Sequence, residues 1–254
     1  MSVSTNTWIV RPQPNPTARA RLFCFPYAGG GASAFRTWPQ YLPAGLELCA
    51  LQLPGRENRL HEEPFTHTTP LVEALAKQII PFLNKPFAFF GHSMGALISF
   101  EMARYLQRRK FNMPRLLLIS AHRAPHLPYK HMKIHNASLQ ALEKRLRGLN
   151  GTPPEVFEQE ELMTLVAPLV RADFAICETY QYEKQEPLKC PISVFGSLDD
   201  GEVNYAELCA WYTETPHPVT IRLYEGDHFY LQNKVEPFLA AVTEDLYRYL
   251  PLRF

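Results

Sequence analysis

No apolar run in this chain approaches the ~20 residues that cross a bilayer, and the opening Met1-Ser2-Val3-Ser4-Thr5-Asn6-Thr7 lacks the basic and apolar parts of a secretory leader. Neither membrane insertion nor secretion is expected. Charge of one sign is missing too: 26 basic residues stand against 25 acidic ones, a formal net charge of +1. Without a global field there is no argument for nucleic acid or an anionic membrane as partner. The five cysteines (Cys24, Cys49, Cys177, Cys190, Cys209) are odd in number, widely spaced and never arranged as Cys-x-x-Cys. They read as reduced core thiols of a cytoplasmic protein, not as a disulfide framework or zinc site. Also absent from the glycine run Gly29-Gly30-Gly31 are the Lys-Ser/Thr of a phosphate-binding loop and the G-x-G-x-x-G spacing of a dinucleotide site.

What is there centres on Phe87-Ala88-Phe89-Phe90-Gly91-His92-Ser93-Met94-Gly95-Ala96, a buried-strand pattern running through Gly-x-Ser-x-Gly into a helical pattern. In such a strand-to-helix turn the middle residue takes a strained conformation, and the flanking glycines let strand and helix pass close by. Ser93 is thereby pushed out at a sheet edge. It also sits at a helix N-terminus, which favours negative charge developing on a substrate oxygen. His92 is expected to point elsewhere and be structural.

The chain's 46% hydrophobic content is ample for a core, and its pattern alternates strands with helices. After a short, partly extended lead-in over residues 1–20, strands are predicted at Leu22–Pro26, Leu46–Leu53, Pro114–Ala121, Ile192–Leu198 and Val219–Tyr224. Arg56-Glu57-Asn58-Arg59 is expected as a charged surface loop. A helix with Thr69 as N-cap and Pro70 at its first position carries Leu71, Leu75 and Ile79 on one face. Continuous apolar strands of this kind indicate a mostly parallel sheet covered on both faces. The alternation breaks over 122–185, where helices are predicted at Ser138–Leu149, Glu160–Val170 and Asp173–Tyr182. An insertion of that size with its own helices predicts a lid over a site. His122, His126, His131 and His135 lie within it at near-helical spacing, but no carboxylate or cysteine stands nearby in sequence and Pro125 and Pro128 interrupt any single helix. Solvated histidines, not a metal site, are expected. The last helix is predicted from about Val235 to Leu250.

Ser93, then Asp199 or Asp200, then His228 follow in the order nucleophile, acid, histidine, each beyond the carboxyl end of a predicted strand. A serine hydroxyl is a poor nucleophile at neutral pH, so His228 must take its proton and a carboxylate must orient the imidazole. The N–H groups of Met94 and of Ala28, in the loop after the first long strand, would then bind the oxyanion, each donor contributing about 3–4 kcal/mol in comparable sites.

Over nearly its whole length the chain resembles the stand-alone type II thioesterases of nonribosomal peptide and polyketide synthesis. The matching stretches are Phe25-Pro26-Tyr27-Ala28-Gly29-Gly30, Leu53-Pro54-Gly55-Arg56-Glu57, Phe90-Gly91-His92-Ser93-Met94-Gly95-Ala96, Phe195-Gly196-Ser197-Leu198-Asp199-Asp200 and Gly226-Asp227-His228-Phe229. The resemblance implies a single α/β-hydrolase domain over 1–254 with 122–185 as helical lid insertion. It implies hydrolysis of acyl thioesters from phosphopantetheine arms of carrier domains, and it places the acid at Asp200 and the oxyanion donors at Ala28 and Met94. No cofactor and no metal are expected; the expected partners are acyl or peptidyl carrier domains of synthetases, and the protein is expected to be a monomer. The alternatives are a medium-chain fatty acyl-carrier thioesterase, a small-ester carboxylesterase, or a non-catalytic module of the same fold. Ser197 and Asp227 depart from the family pattern, and Asp227 adds a third carboxylate near His228. A surplus of cations over His122–Asn150 (Arg123, Lys130, Lys133, Lys144, Arg145, Arg147 against Glu143) is expected to steer an acidic carrier.

Overall fold

The computed structural model describes residues 7–252; the opening stretch 1–6, read above for the absence of a leader, lies outside the described residues. In chain order the strands and helices are β1 (Ile9–Val10), β2 (Ala20–Phe25), β3 (Leu46–Leu51), α1 (Thr68–Ile79), β4 (Phe87–His92), α2 (Met94–Arg108), β5 (Leu116–Ser120), α3 (Leu139–Leu149), α4 (Pro154–Glu158), α5 (Glu160–Glu178), β6 (Ile192–Ser197), α6 (Tyr205–Cys209), β7 (Val219–Tyr224), α7 (Tyr230–Asn233) and α8 (Val235–Tyr249). The strands form one sheet in the order β1-β3-β2-β4-β5-β6-β7. Every pairing is parallel except that of β1 with β3.

Alternate side chains of each strand serve opposite faces. From β2, Phe23 and Phe25 enter one core with α1 and α2, while Ala20, Leu22 and Cys24 enter a second core with α8. Strand β4 is buried throughout, and each of its phenylalanines contributes about 1.5–3 kcal/mol by leaving water. This is why the strands read as unbroken apolar runs. A third, smaller core of Ile134, Leu142, Leu146, Met163, Ala167 and Val170 holds together the segment between β5 and β6. Among the described residues no helix is long and apolar enough to cross a membrane.

Four local expectations are corrected. The lead-in contains β1, paired as Ile9 with Leu51 and Val10 with Ala50, a two-residue strand too short to announce itself by periodicity. Helix α1 begins at Thr68, so Thr69 and Pro70 lie inside its first turn. Pro70 costs no hydrogen bond there, because the first four N–H groups of a helix have no partner within it, and Thr68 Oγ1 instead donates to the Ile176 carbonyl at 3.2 Å. The two helices expected over Glu160–Tyr182 are one, α5, which continues through Pro168 because Ala167, Val170, Ala172, Ala175 and Ile176 are buried along it. Finally, Arg56 and Arg59 of the expected surface loop are each only 4% exposed.

Candidate active site

The site begins at the β4–α2 turn. Ser93 sits at φ 54° and ψ −120°, a conformation costly for any residue with a side chain. Packing imposes it: a methyl group at Gly91 would overlap the Gly95 backbone, and one at Gly95 would overlap the Phe25 carbonyl. The turn is anchored from β5 by the Ser93 N–H, which donates to the Ser120 carbonyl at 2.8 Å.

The loops after β6 and β7 bring Asp200 and His228 to the same sheet edge. His228 Nε2 lies 2.9 Å from Ser93 Oγ, and His228 Nδ1 lies 2.9 and 3.1 Å from the two Asp200 carboxylate oxygens. A carboxylate only accepts, so Nδ1 carries the proton and Nε2 is left to accept from the serine hydroxyl. The Asp200 side chain is fully buried and also accepts the Glu202 N–H at 2.8 Å. Asp199 is exposed and accepts instead from the Gly226 N–H at 3.3 Å. The third carboxylate, Asp227, is taken up by its own loop: it accepts from the Phe229 N–H at 2.9 Å and from Asn150 Nδ2 at 3.1 Å. Ser197 donates its hydroxyl to the Gly226 carbonyl, tying the acid-bearing loop to the histidine-bearing one.

Ser93 and His228 open into a cleft, which Ala28 and Met94 also line. More than half of the lining comes from the segment between β5 and β6, including Arg123, Tyr129, Leu146, Phe174 and Cys177. His92 is buried behind the site, with Nδ1 2.9 Å from Ser120 Oγ, and Ser120 Oγ is 2.6 Å from the Tyr230 hydroxyl. Burial, reinforced by neighbouring His228, pushes the His92 pKa well below its ordinary value, so this ring packs against His228 as a neutral wall.

Of the four histidines of the inserted segment, expected to be solvated, His122 is buried, and the other three are partly exposed but paired. Burial drives His122 down to about 3. His126 pairs with Glu214 at 2.6 Å, His131 lies 3.7 Å from Glu202, and His135 pairs with the buried carboxylate of Glu178. Each partner carboxylate comes from a distant part of the sequence, which local spacing could not reveal. Among the described residues no group of three His, Cys, Asp or Glu side chains could hold a metal ion. The cationic stretch is likewise partly neutralised. Lys130 bridges to Glu207 at 2.8 Å, Arg147 to Glu143 at 2.7 Å, and Arg145 to Glu202, while Arg123 faces the cleft.

Two residues near the site escaped sequence reasoning. Arg56 holds Asp173 of α5 through two bonds of 2.8 Å, and Asp173 also accepts the Gly29 N–H at 2.7 Å. A signal existed: Asp173 falls between Val170, Ile176 and Cys177, so a carboxylate stands on the apolar face of a helix, where it needs a partner.

The profile of the thioesterase domain family matches residues 20–246. Gramicidin S biosynthesis protein GrsT of Aneurinibacillus migulanus is 46% identical over 241 residues, 95% of this chain and 94% of that one. The protein named linear gramicidin dehydrogenase LgrE, of Brevibacillus parabrevis, is 42% identical over 251 residues, 98% of this chain and 95% of that one. Among solved structures, YbtT, described as the type II thioesterase of the yersiniabactin NRPS/PKS biosynthetic pathway, superposes with a TM-score of 0.84 at 32% identity, covering 96% of this chain and 98% of that one.

Proposed function

The chain belongs to the thioesterase domain family, among the type II thioesterases of nonribosomal peptide and polyketide pathways, and from that premise we propose that it hydrolyses acyl groups from the phosphopantetheine arms of carrier domains through Ser93, His228 and Asp200. The observation that carries this reading is the hydrogen-bonded file of Ser93, His228 and Asp200 at the wall of a cleft, with serine to histidine and histidine to aspartate both at 2.9 Å.

In the first half-reaction Ser93 Oγ gives its proton to His228 Nε2 as it attacks the thioester carbonyl carbon. Asp200 stabilises the imidazolium through Nδ1. The negative oxygen of the tetrahedral intermediate is received by the N–H groups of Ala28 and Met94, the latter at the N-terminus of α2. As the intermediate collapses, the C–S bond breaks and His228 returns its proton to the departing pantetheine sulfur. Water then repeats the sequence on the acyl-serine ester, with His228 as base, releasing the carboxylic acid and restoring the serine. Ser93, His228, Asp200, the backbone donors and the attacking water account for every proton and charge in these steps, so this chemistry calls for no metal or cofactor.

The segment 122–185 acts in this reading as a lid of the single domain, enclosing the acyl group, and the protein works in the cytoplasm beside its synthetase. A dehydrogenase, as one relative is named, needs a dinucleotide site, and the glycine run Gly29-Gly30-Gly31 lacks the spacing of one, while Tyr27 and Ala28 just before it line the cleft that holds Ser93 and His228.

The test is the intact mass of an acylated carrier domain incubated with the enzyme. The acyl mass should disappear to leave the free pantetheine thiol, and Ser93→Ala or His228→Ala should each slow this by several orders of magnitude, the double variant being scarcely slower. Near-normal turnover by folded Ser93→Ala would rule out the acyl-enzyme. Turnover of simple esters or medium-chain fatty acyl carriers in preference to synthetase carriers would favour the alternative substrate classes.

A further inference from the structure

The loop after β2 carries three successive glycines, the composition least able to hold one conformation by itself. Its order is imposed from outside. Asp173 Oδ2 accepts the Gly29 N–H at 2.7 Å, while Arg56 Nη1 donates at 2.8 Å both to the Gly30 carbonyl and to Asp173 Oδ2. Arg56 Nη2 completes the pair on Asp173 Oδ1 at 2.8 Å, and Gln52 Nε2 holds the Arg56 carbonyl at 2.9 Å. With Gly29 and Gly30 so held, the Gly30 N–H donates to the Tyr27 carbonyl at 2.9 Å. That carbonyl shares a trans peptide plane with the Ala28 N–H, which must therefore point the opposite way.

Stability alone does not call for this arrangement. The Arg56 and Asp173 side chains are 4% and 1% exposed, and at such burial the cost of removing both charges from water offsets much of their attraction. An apolar pair of similar volume generally serves stability as well or better. What an apolar pair cannot do is accept the Gly29 N–H and donate to the Gly30 carbonyl.

We propose that Arg56 and Asp173 are positioning residues that hold the Tyr27–Gly30 turn so that the Ala28 N–H faces the substrate carbonyl at Ser93. The oxyanion site is then complete only when α5, which carries Asp173, is docked. This rests on the thioester-hydrolase reading above.

The test compares wild type with the double variant Arg56→Met/Asp173→Leu, in which the buried pair is replaced by apolar groups, and with Asp173→Asn. Four quantities are read on each: Tm, kcat and KM for a butyryl-pantetheine thioester, affinity for butylboronic acid, and affinity for the uncleavable S-butyl pantetheine thioether. The boronate bonds to Ser93 Oγ and places an oxygen where the oxyanion forms, whereas the thioether reports ground-state binding only. The double variant should keep its Tm, lose about 100-fold or more in kcat, and change KM by less than about threefold. Its boronate affinity should fall with kcat while thioether affinity holds. Asp173→Asn, which retains an acceptor without the charge, should lose activity and boronate affinity in parallel to a smaller extent, and it carries the test if the double variant does not fold. A folded double variant, or failing that a folded Asp173→Asn, with wild-type kcat and boronate affinity would overturn the clamp while leaving the enzyme's reaction intact. A wild type without Ser93-dependent hydrolysis would overturn the thioesterase reading and the clamp with it.

Discussion

At the scale of single residues, the informative comparison is between two adjacent carboxylates. Asp200 is buried and bonded to His228 Nδ1, whereas Asp199 is exposed and bonded to a loop N–H. Amidating Asp200 offers His228 an NH2 group where a carboxylate stood, which favours the wrong imidazole tautomer and removes the charge that stabilises the imidazolium. Asp200→Asn should therefore lower kcat by about 10³–10⁴-fold, as such a change does in a comparable triad. Asp199→Asn disturbs only the bond to Gly226 and should cost less than about tenfold, within the cost of one exposed hydrogen bond. Steady-state kinetics on a short acyl-pantetheine thioester decide the ranking, and the reverse order would move the acid to Asp199.

At the scale of elements, α5 connects the cleft to the loops around it. It supplies Phe174 and Cys177 to the lining, Asp173 to the glycine loop, and Glu178, whose carboxylate accepts the N–H groups of Ile134 and His135. Pro168 stands exposed inside this helix, where it removes one backbone hydrogen bond and crowds the carbonyl a turn earlier. The helix persists because its other face is packed, not because its sequence favours it. Replacing Pro168 with alanine should relieve a cost of up to about 3 kcal/mol, offset by about 1 kcal/mol from the freer unfolded chain. The net is a more stable protein, and thermal melting of Pro168→Ala should show a higher Tm. A lower Tm would mean that the proline ring makes contacts worth more than the backbone bond it prevents.

At the scale of the whole molecule, the buried histidines set the response to acid. His122, driven by burial to about 3, and His92, held well below its ordinary value by burial and by neighbouring His228, are both neutral when folded. In the unfolded chain each takes up a proton near 6.5. Below that pH the unfolded state binds more protons, so stability present above about pH 6.5 is lost as pH falls towards the folded values. At pH 5 the loss from His122 should be about 2 kcal/mol, and His92 adds to it in the same direction. Urea unfolding at pH 7, 6 and 5 should show this decline, and His122→Gln should make it shallower by about 2 kcal/mol between pH 7 and 5. A flat profile would mean that these rings accept protons without unfolding.

The amino-acid sequence by itself determined the strand and helix alternation, the β4–α2 turn and the sheet edge at which the reactive side chains gather. Those depend on local backbone chemistry: apolar runs that make buried strands, and glycines at Gly91 and Gly95 where no Cβ fits. It could not decide what is settled by encounters between distant residues. Arg56 reads as a surface charge until Asp173, 117 positions away, is packed against it. His126 and His135 read as solvated until Glu214 and Glu178 arrive from elsewhere in the fold. Which of the two adjacent carboxylates meets His228 is decided by how the loop after β7 approaches: Asp200 bonds to His228 and Asp199 to the Gly226 N–H. A charged or polar side chain carries no periodic signal of its own. Its role follows from its partner, and burial gives the partnership its strength by removing competing water.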